Sequence, residues 1–167
     1  MTTTADAVDG DENSVVARNM ETFRRLQFDV IVAGRHDLVE EVLSPDFHAG
    51  RAGLADLFVA SGLQGPHGSG DARESFRTGL ASMSQALGKQ QRTIEELHGV
   101  GDRLWARWRI SAEHIGPFLG RLPTGRRIQW VEAALLRFDD SGRLAEGWFL
   151  CDELNLAQQL GFRLTSE

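Results

Sequence analysis

The chain's hydrophobic pattern changes from mainly helical to strand-like near Gln91, and that change most constrains what it can fold into. Before it, apolar residues recur at helical spacing. Val15, Val16, Met20, Phe23, Leu26, Phe28, Val30 and Ile31 follow a cap at Asn13 or Ser14, and Gly34 is a plausible stop. A second short helix over 36–43 ends at Ser44-Pro45, because the residue before a proline is pushed out of the helical region. Residues 46–49 read as a short strand. Asp71 caps a third helix over 72–87, with Phe76, Leu80, Met83 and Leu87 on one stripe. After Gln91 the side chains alternate, which predicts strands over 92–100, 103–114, 126–138 and 143–151. Gly101-Asp102 and Asp139-Asp140-Ser141-Gly142 are the turns of two hairpins. Residues 152–160 read as a terminal helix stopped by Gly161. Residues 50–70, with six glycines, are the least regular part, and a connection of that length is usually functional or disordered.

Helices followed by a run of strands give an α+β fold, a strongly bent antiparallel sheet wrapped over the N-terminal helices. Such a sheet would leave a cone-shaped pocket of the kind that small ligands fill. The length, 167 residues, fits one domain over 13–167, preceded by a polar, disordered tail over 1–12. A net charge of -6 disfavours nucleic acid and anionic membrane as partners. No apolar run reaches the ~20 residues of a membrane span. One cysteine, Cys151, permits no internal disulfide and fits a cytoplasmic setting.

Alternation then sorts side chains by face. In 103–114 the apolar face carries Leu104, Ala106, Trp108, Ile110, Ala112 and His114, so His114 is expected to point inward. Arg107, Arg109 and Trp105 fall on the outer face, where Trp105 suits a subunit contact. In the last strand Glu146, Trp148, Leu150 and Asp152 share a face. Trp148 and Leu150 suggest that this face lines the pocket, which would carry Asp152 into it. A carboxylate in apolar surroundings holds its proton more readily and can serve as an acid–base group near neutral pH. The plainer reading of Asp152, just before Glu-Leu-Asn-Leu, is a helix N-cap. The strand over 126–138 has two mixed faces, so Trp130 and Glu132 cannot be oriented by pattern alone. His114 and His48 each divide between a backbone-binding role and a pocket role, and His67 sits where a lid could form. Cys151, on the face opposite Asp152, reads as buried and inert. The histidines show no metal-ligand spacing, and the glycines form no phosphate-cradling loop. No metal site is expected.

Several of these residues carry a family resemblance. Glu113-His114-Ile115-Gly116-Pro117-Phe118-Leu119-Gly120, then Pro123-Thr124-Gly125-Arg126, resembles the SnoaL-like polyketide cyclases. So do Asp139 to Trp148 and the ending Asp152 with Gln159-Leu160-Gly161. Glu113 stands where that family has Thr, and the chain has no Tyr. The match covers about residues 100–161. The resemblance implies a nuclear-transport-factor-type fold, usually a homodimer. It also implies a cofactor-independent cyclase that closes rings of a polyketide-like substrate by aldol-type chemistry, as in antibiotic biosynthesis. Asp152 corresponds to the family's acid–base residue, His114 and His48 to assisting histidines. Trp148, Trp130, Trp108, Leu150, Phe118 and Glu132 would line the substrate site.

Two other functions compete. Epoxide opening would need a carboxylate–arginine–carboxylate network, with Asp152, Arg107 and Glu132 or Glu113. A non-catalytic binding or dimerisation module would need no chemistry at all, because this fold does not fix one function.

Overall fold

The structure, a computed structural model, describes residues 5–52 and 71–163, with side chains from Glu12 onward. Helix α1 (Ala5–Arg25) runs into a wider π-helical turn, Leu26–Val32. It begins at Ala5, well before the expected cap and within the stretch read as a tail. Gly34, at φ +71°, ends the unit. A 3-10 turn (His36–Leu38) and the short α2 (Val39–Val42) follow. Strand β1 (Leu43–Ala52) is longer than the sequence suggested. Helix α3 (Ala72–Ala86) starts as expected at Asp71, whose side chain accepts a 2.8 Å hydrogen bond from Arg73 N. Then come β2 (Leu87–Val100), β3 (Arg103–His114), β4 (Arg127–Phe138) and β5 (Leu144–Cys151), and α4 (Glu153–Gln159).

The strands form one open sheet in the order β1-β5-β4-β3-β2. The expected antiparallel meander is correct for β2 to β5. The sheet as a whole is mixed, however, because β1 joins the edge parallel to β5. Pro45 explains why this strand is at an edge: it has no N–H for a second neighbour. The pairing register also jumps between Leu43 and His48, across the proline.

Helix α1 and the π-helical turn after it lay Phe23, Leu26 and Val30 in one core with Trp108, Ile110 and their neighbours on the sheet. Phe23 meets Trp108 edge to face at 5.4 Å. Burying each such side chain contributes about 1.5–3 kcal/mol. Among the described residues, no helix is long and apolar enough to cross a membrane.

Candidate functional site

Between the helices and the inner face of the sheet lies a cavity of about 610 Å3. Its walls include Phe47, Phe76, Met83, Trp108, Phe118, Trp130 and Phe149. The size and apolar lining suit an organic ligand of several rings.

Strand register decides which polar groups enter. In β4, Trp130 and Glu132 are buried on the inner face along with Ile128 and Ala134, which resolves the orientation that the sequence left open. Glu132 is 6% exposed and yet lines the cavity. A buried carboxylate needs partners, and Glu132 has two. Arg51 Nη1 donates to Glu132 Oε1 at 3.1 Å, and Trp130 Nε1 donates to the same oxygen at 3.3 Å. Arg51 comes from β1, paired in register with Phe149, and its guanidinium stacks over the Phe149 ring at 5.2 Å. A second cation, Arg92 of β2, also lines the cavity. Its Nη1 donates to Oε1 of the buried Gln27 at 2.5 Å. Burial pulls the Arg92 guanidinium down to about 10, with the Glu132 charge opposing that shift and Arg51 adding to it. It therefore stays protonated near neutral pH.

The same register corrects the expected face of β5. Cys151 pairs with Glu132 and Leu135 with Trp148. Cys151 and Phe149 thus share the inner side with Glu132, while Trp148, Leu150 and Asp152 face out. Trp148 is 44% exposed and Leu150 45%. Neither is among the cavity's lining residues, nor is Asp152. Asp152 is the exposed N-cap of α4, accepting from Asn155 N at 3.4 Å and from Asn155 Nδ2 at 3.3 Å. Both faces of β5 carry large apolar side chains, so hydrophobicity alone could not tell inside from outside. Cys151 is buried, as expected, and burial pushes its thiol far above its usual range. It is no nucleophile.

His114 is fully buried but does not line the cavity. It holds the loop that does. His114 Nδ1 lies 3.2 Å from Thr124 Oγ1, and its ring meets Phe118 edge to face at 6.4 Å. Its backbone pairs with Gly125 and Arg126. The His114 and Thr124 motifs thus close on each other and present Pro117, Phe118 and Leu119 to the cavity. Gly116 is required where this loop crosses the end of α3. A Cβ there would lie 2.3 Å from the Gln85 carbonyl oxygen. Burial lowers the His114 pKa, only partly offset by the Gly116 backbone, so the ring is neutral at pH 7. His48 lines the cavity from β1 but is largely exposed, with Nε2 3.6 Å from Glu146 Oε1. His67 lies outside the described residues.

Trp108, Trp130, Phe118 and Glu132 therefore come together at the cavity, with His48 beside them. Arg51, Arg92, Gln27 and Phe149 were not anticipated. Gln27, a polar residue inside an apolar helical stripe four residues from Phe23, was the one available signal. The network drawn for epoxide opening does not form. Arg107 pairs with Glu95 and Glu96 on the outer face, and Glu113 pairs with Lys89. Glu132 is the one carboxylate among the described lining residues. No group of three or more His, Cys, Asp or Glu side chains among the described residues could hold a metal ion.

Comparisons with known proteins agree with this architecture. The chain resembles TsrD from Streptomyces laurentii, at 23% identity and a TM-score of 0.68, covering 89% of this chain and 96% of that one. It resembles IdmH from Streptomyces antibioticus, at 23% identity and a TM-score of 0.69, covering 86% and 99%. A SnoaL-like polyketide cyclase from Agrobacterium tumefaciens is 17% identical, with a TM-score of 0.59 and coverage of 80% and 91%. At these identities the likeness concerns the fold. No curated protein sequence matches the chain. The family profile described as SnoaL-like polyketide cyclase matches residues 21–160, from the last turn of α1 through all five strands and α4. With the fold and the sequence profile in agreement over most of its length, the chain belongs to the SnoaL-like polyketide cyclase family.

Proposed function

We propose that the protein is a cofactor-independent cyclase that closes a ring on a polyketide-like carbonyl compound, with Glu132 as its acid–base group. The observation that carries this reading is a single buried carboxylate, held by Arg51 and Trp130, in an aromatic-walled cavity large enough for such a substrate. Glu132 takes a proton from a carbon next to a carbonyl, leaving an enolate. The enolate carbon attacks a second carbonyl carbon of the same molecule, one C–C bond forms, and the resulting alkoxide recovers a proton. Arg51 offsets the negative charge as it passes from Glu132 to the substrate. Trp108, Trp130 and Phe149 hold flat rings. His114 positions the Phe118 loop. In this reading the pocket role that the resemblance gives to Asp152 falls to Glu132, since Asp152 caps α4.

The test is cyclisation of an aryl-linked triketone, followed by absorbance and by mass, in Glu132→Gln and Asp152→Asn. Glu132→Gln should lose about 100- to 10,000-fold in rate, while Asp152→Asn keeps most of it. The reverse pattern returns the acid–base role to Asp152 and defeats the assignment.

We also propose that a second copy packs on the outer face of the sheet. Trp105, Leu135 and Trp148 are register partners across β3, β4 and β5, and all three are exposed. Such a row is the kind of apolar strip that subunit contacts bury.

A further inference from the structure

We infer that the substrate carries a carboxylate and that Arg92 binds it. This rests on the cavity being the substrate site and adds the chemical class of what enters it.

The argument begins with charge. The described lining residues include two guanidinium groups, Arg51 and Arg92, and one carboxylate, Glu132. Arg51 lies 3.1 Å from Glu132, so that pair is neutral overall. Among the described residues, Arg92 has no carboxylate in hydrogen-bonding contact. Its hydrogen-bond partner among the described residues is the neutral amide oxygen of Gln27, which fixes the guanidinium without cancelling its charge. Among the described lining residues one positive charge is therefore left over, in a cavity with mostly apolar walls, where charges interact strongly. The whole chain carries -6, so this is a local feature.

The second argument is unmet hydrogen bonding. Arg92 Nε and Trp108 Nε1 are both buried donors with no partner among the described residues. Both residues line the cavity. Trp108 pairs with Ile94, two positions along β2 from Arg92, so the two side chains sit on one face of adjacent strands. A buried donor left unpaired is costly. A ligand carboxylate on the Arg92 guanidinium supplies the missing negative charge. Arginine suits this because its planar fork matches a carboxylate with two parallel bonds. A purely structural arginine would instead be expected beside a carboxylate of the chain itself.

Isothermal titration calorimetry with unreactive probes tests the inference on the whole chain at pH 7.5. 2-Naphthoate and its methyl ester have the same rings and differ in the charged group. The acid should bind the wild type about tenfold or more tighter than the ester. Arg92→Gln should remove that difference while leaving ester binding unchanged. Arg92→Lys, which keeps the charge but not the fork, should retain part of it. Glu132→Gln should leave acid binding intact or tighten it, because it removes the competing negative charge. Equal binding of acid and ester by the wild type would overturn the inference, and that comparison requires no variant to fold. So would an Arg92→Gln protein that loses both probes equally. The cyclase assignment fails separately. If Glu132→Gln still cyclises the triketone while the acid preference holds, only that assignment falls. If the preference is missing while Glu132→Gln is inactive, only the carboxylate site falls.

Discussion

Two arginine–glutamate groups lie on opposite faces of the same sheet. On the outer face Arg107 and Arg109 share Glu95, with Glu96 also on Arg107, and the arginines are 38% and 49% exposed. On the inner face Arg51 meets Glu132, whose side chain is 7% exposed. The residue types are the same, but the physics differs. Outside, water screens each charge, so the pairs contribute little and can rearrange freely. Inside, every charge has lost its hydration and depends on a fixed partner. The outer group lies across strands β2 and β3, which their backbone ladder already holds together. Among the described residues the inner group leaves Arg92 without a carboxylate partner, and the proposed carboxylate site rests on that imbalance.

The contrast can be broken most directly at Arg51. Arg51→Met leaves Glu132 without its ion partner and should cost about 3 kcal/mol of stability in urea unfolding. Arg107→Gln, on the outer face, should cost less than about 1 kcal/mol in the same measurement. Equal losses would show that the two faces do not differ in this way.

The outer face is sharpened by its apolar row. Trp105→Ala should weaken self-association by about 2 kcal/mol, or roughly thirtyfold in Kd, by analytical ultracentrifugation. A wild-type chain that remains monomeric at high concentration would remove the proposed contact.

The smallest effect concerns His114. Its pKa in the folded chain lies below the ordinary 6.5, because burial disfavours the charged ring. The unfolded chain therefore takes up that proton first as pH falls. The stability this group contributes is complete above about pH 6.5 and declines below it. Between pH 7.5 and 5.5 the urea midpoint of the wild type should fall more than that of His114→Gln. Parallel curves would place the acid sensitivity elsewhere.

Much of the fold was legible in the chain. The helical stripe through Phe23, Leu26 and Val30, the cap at Asp71 and the alternation in β3 and β4 all appear where the pattern puts them. Trp108 on the inner face and Trp105 with Arg107 on the outer face were readable because β3 has one apolar side and one charged side. β5 was not readable in this way. Phe149 and Cys151 on one side, and Trp148 and Leu150 on the other, are all apolar, so only pairing with β4 could tell them apart. Arg51 is not legible in the sequence because it lies within the glycine-rich stretch 50–70, which has no periodicity to assign it a face. Arg92 escaped notice because a charged residue at the start of an expected strand gives no cue to its direction. In the structure β2 begins five residues earlier, at Leu87, so Arg92 lies within it.

The sequence by itself determined the α+β layout, the hairpins, the single inert cysteine and the family to which the chain belongs. These follow from local periodicity, turn chemistry and short motifs. Only the tertiary structure decided which carboxylate faces the cavity. A strand's side-chain period is two, so its inward face is set by its neighbours' register rather than by its own residues. Register places Glu132 inside with Arg51 and Arg92, drawn from strands far apart in the chain, and leaves Asp152 outside as the cap of the last helix.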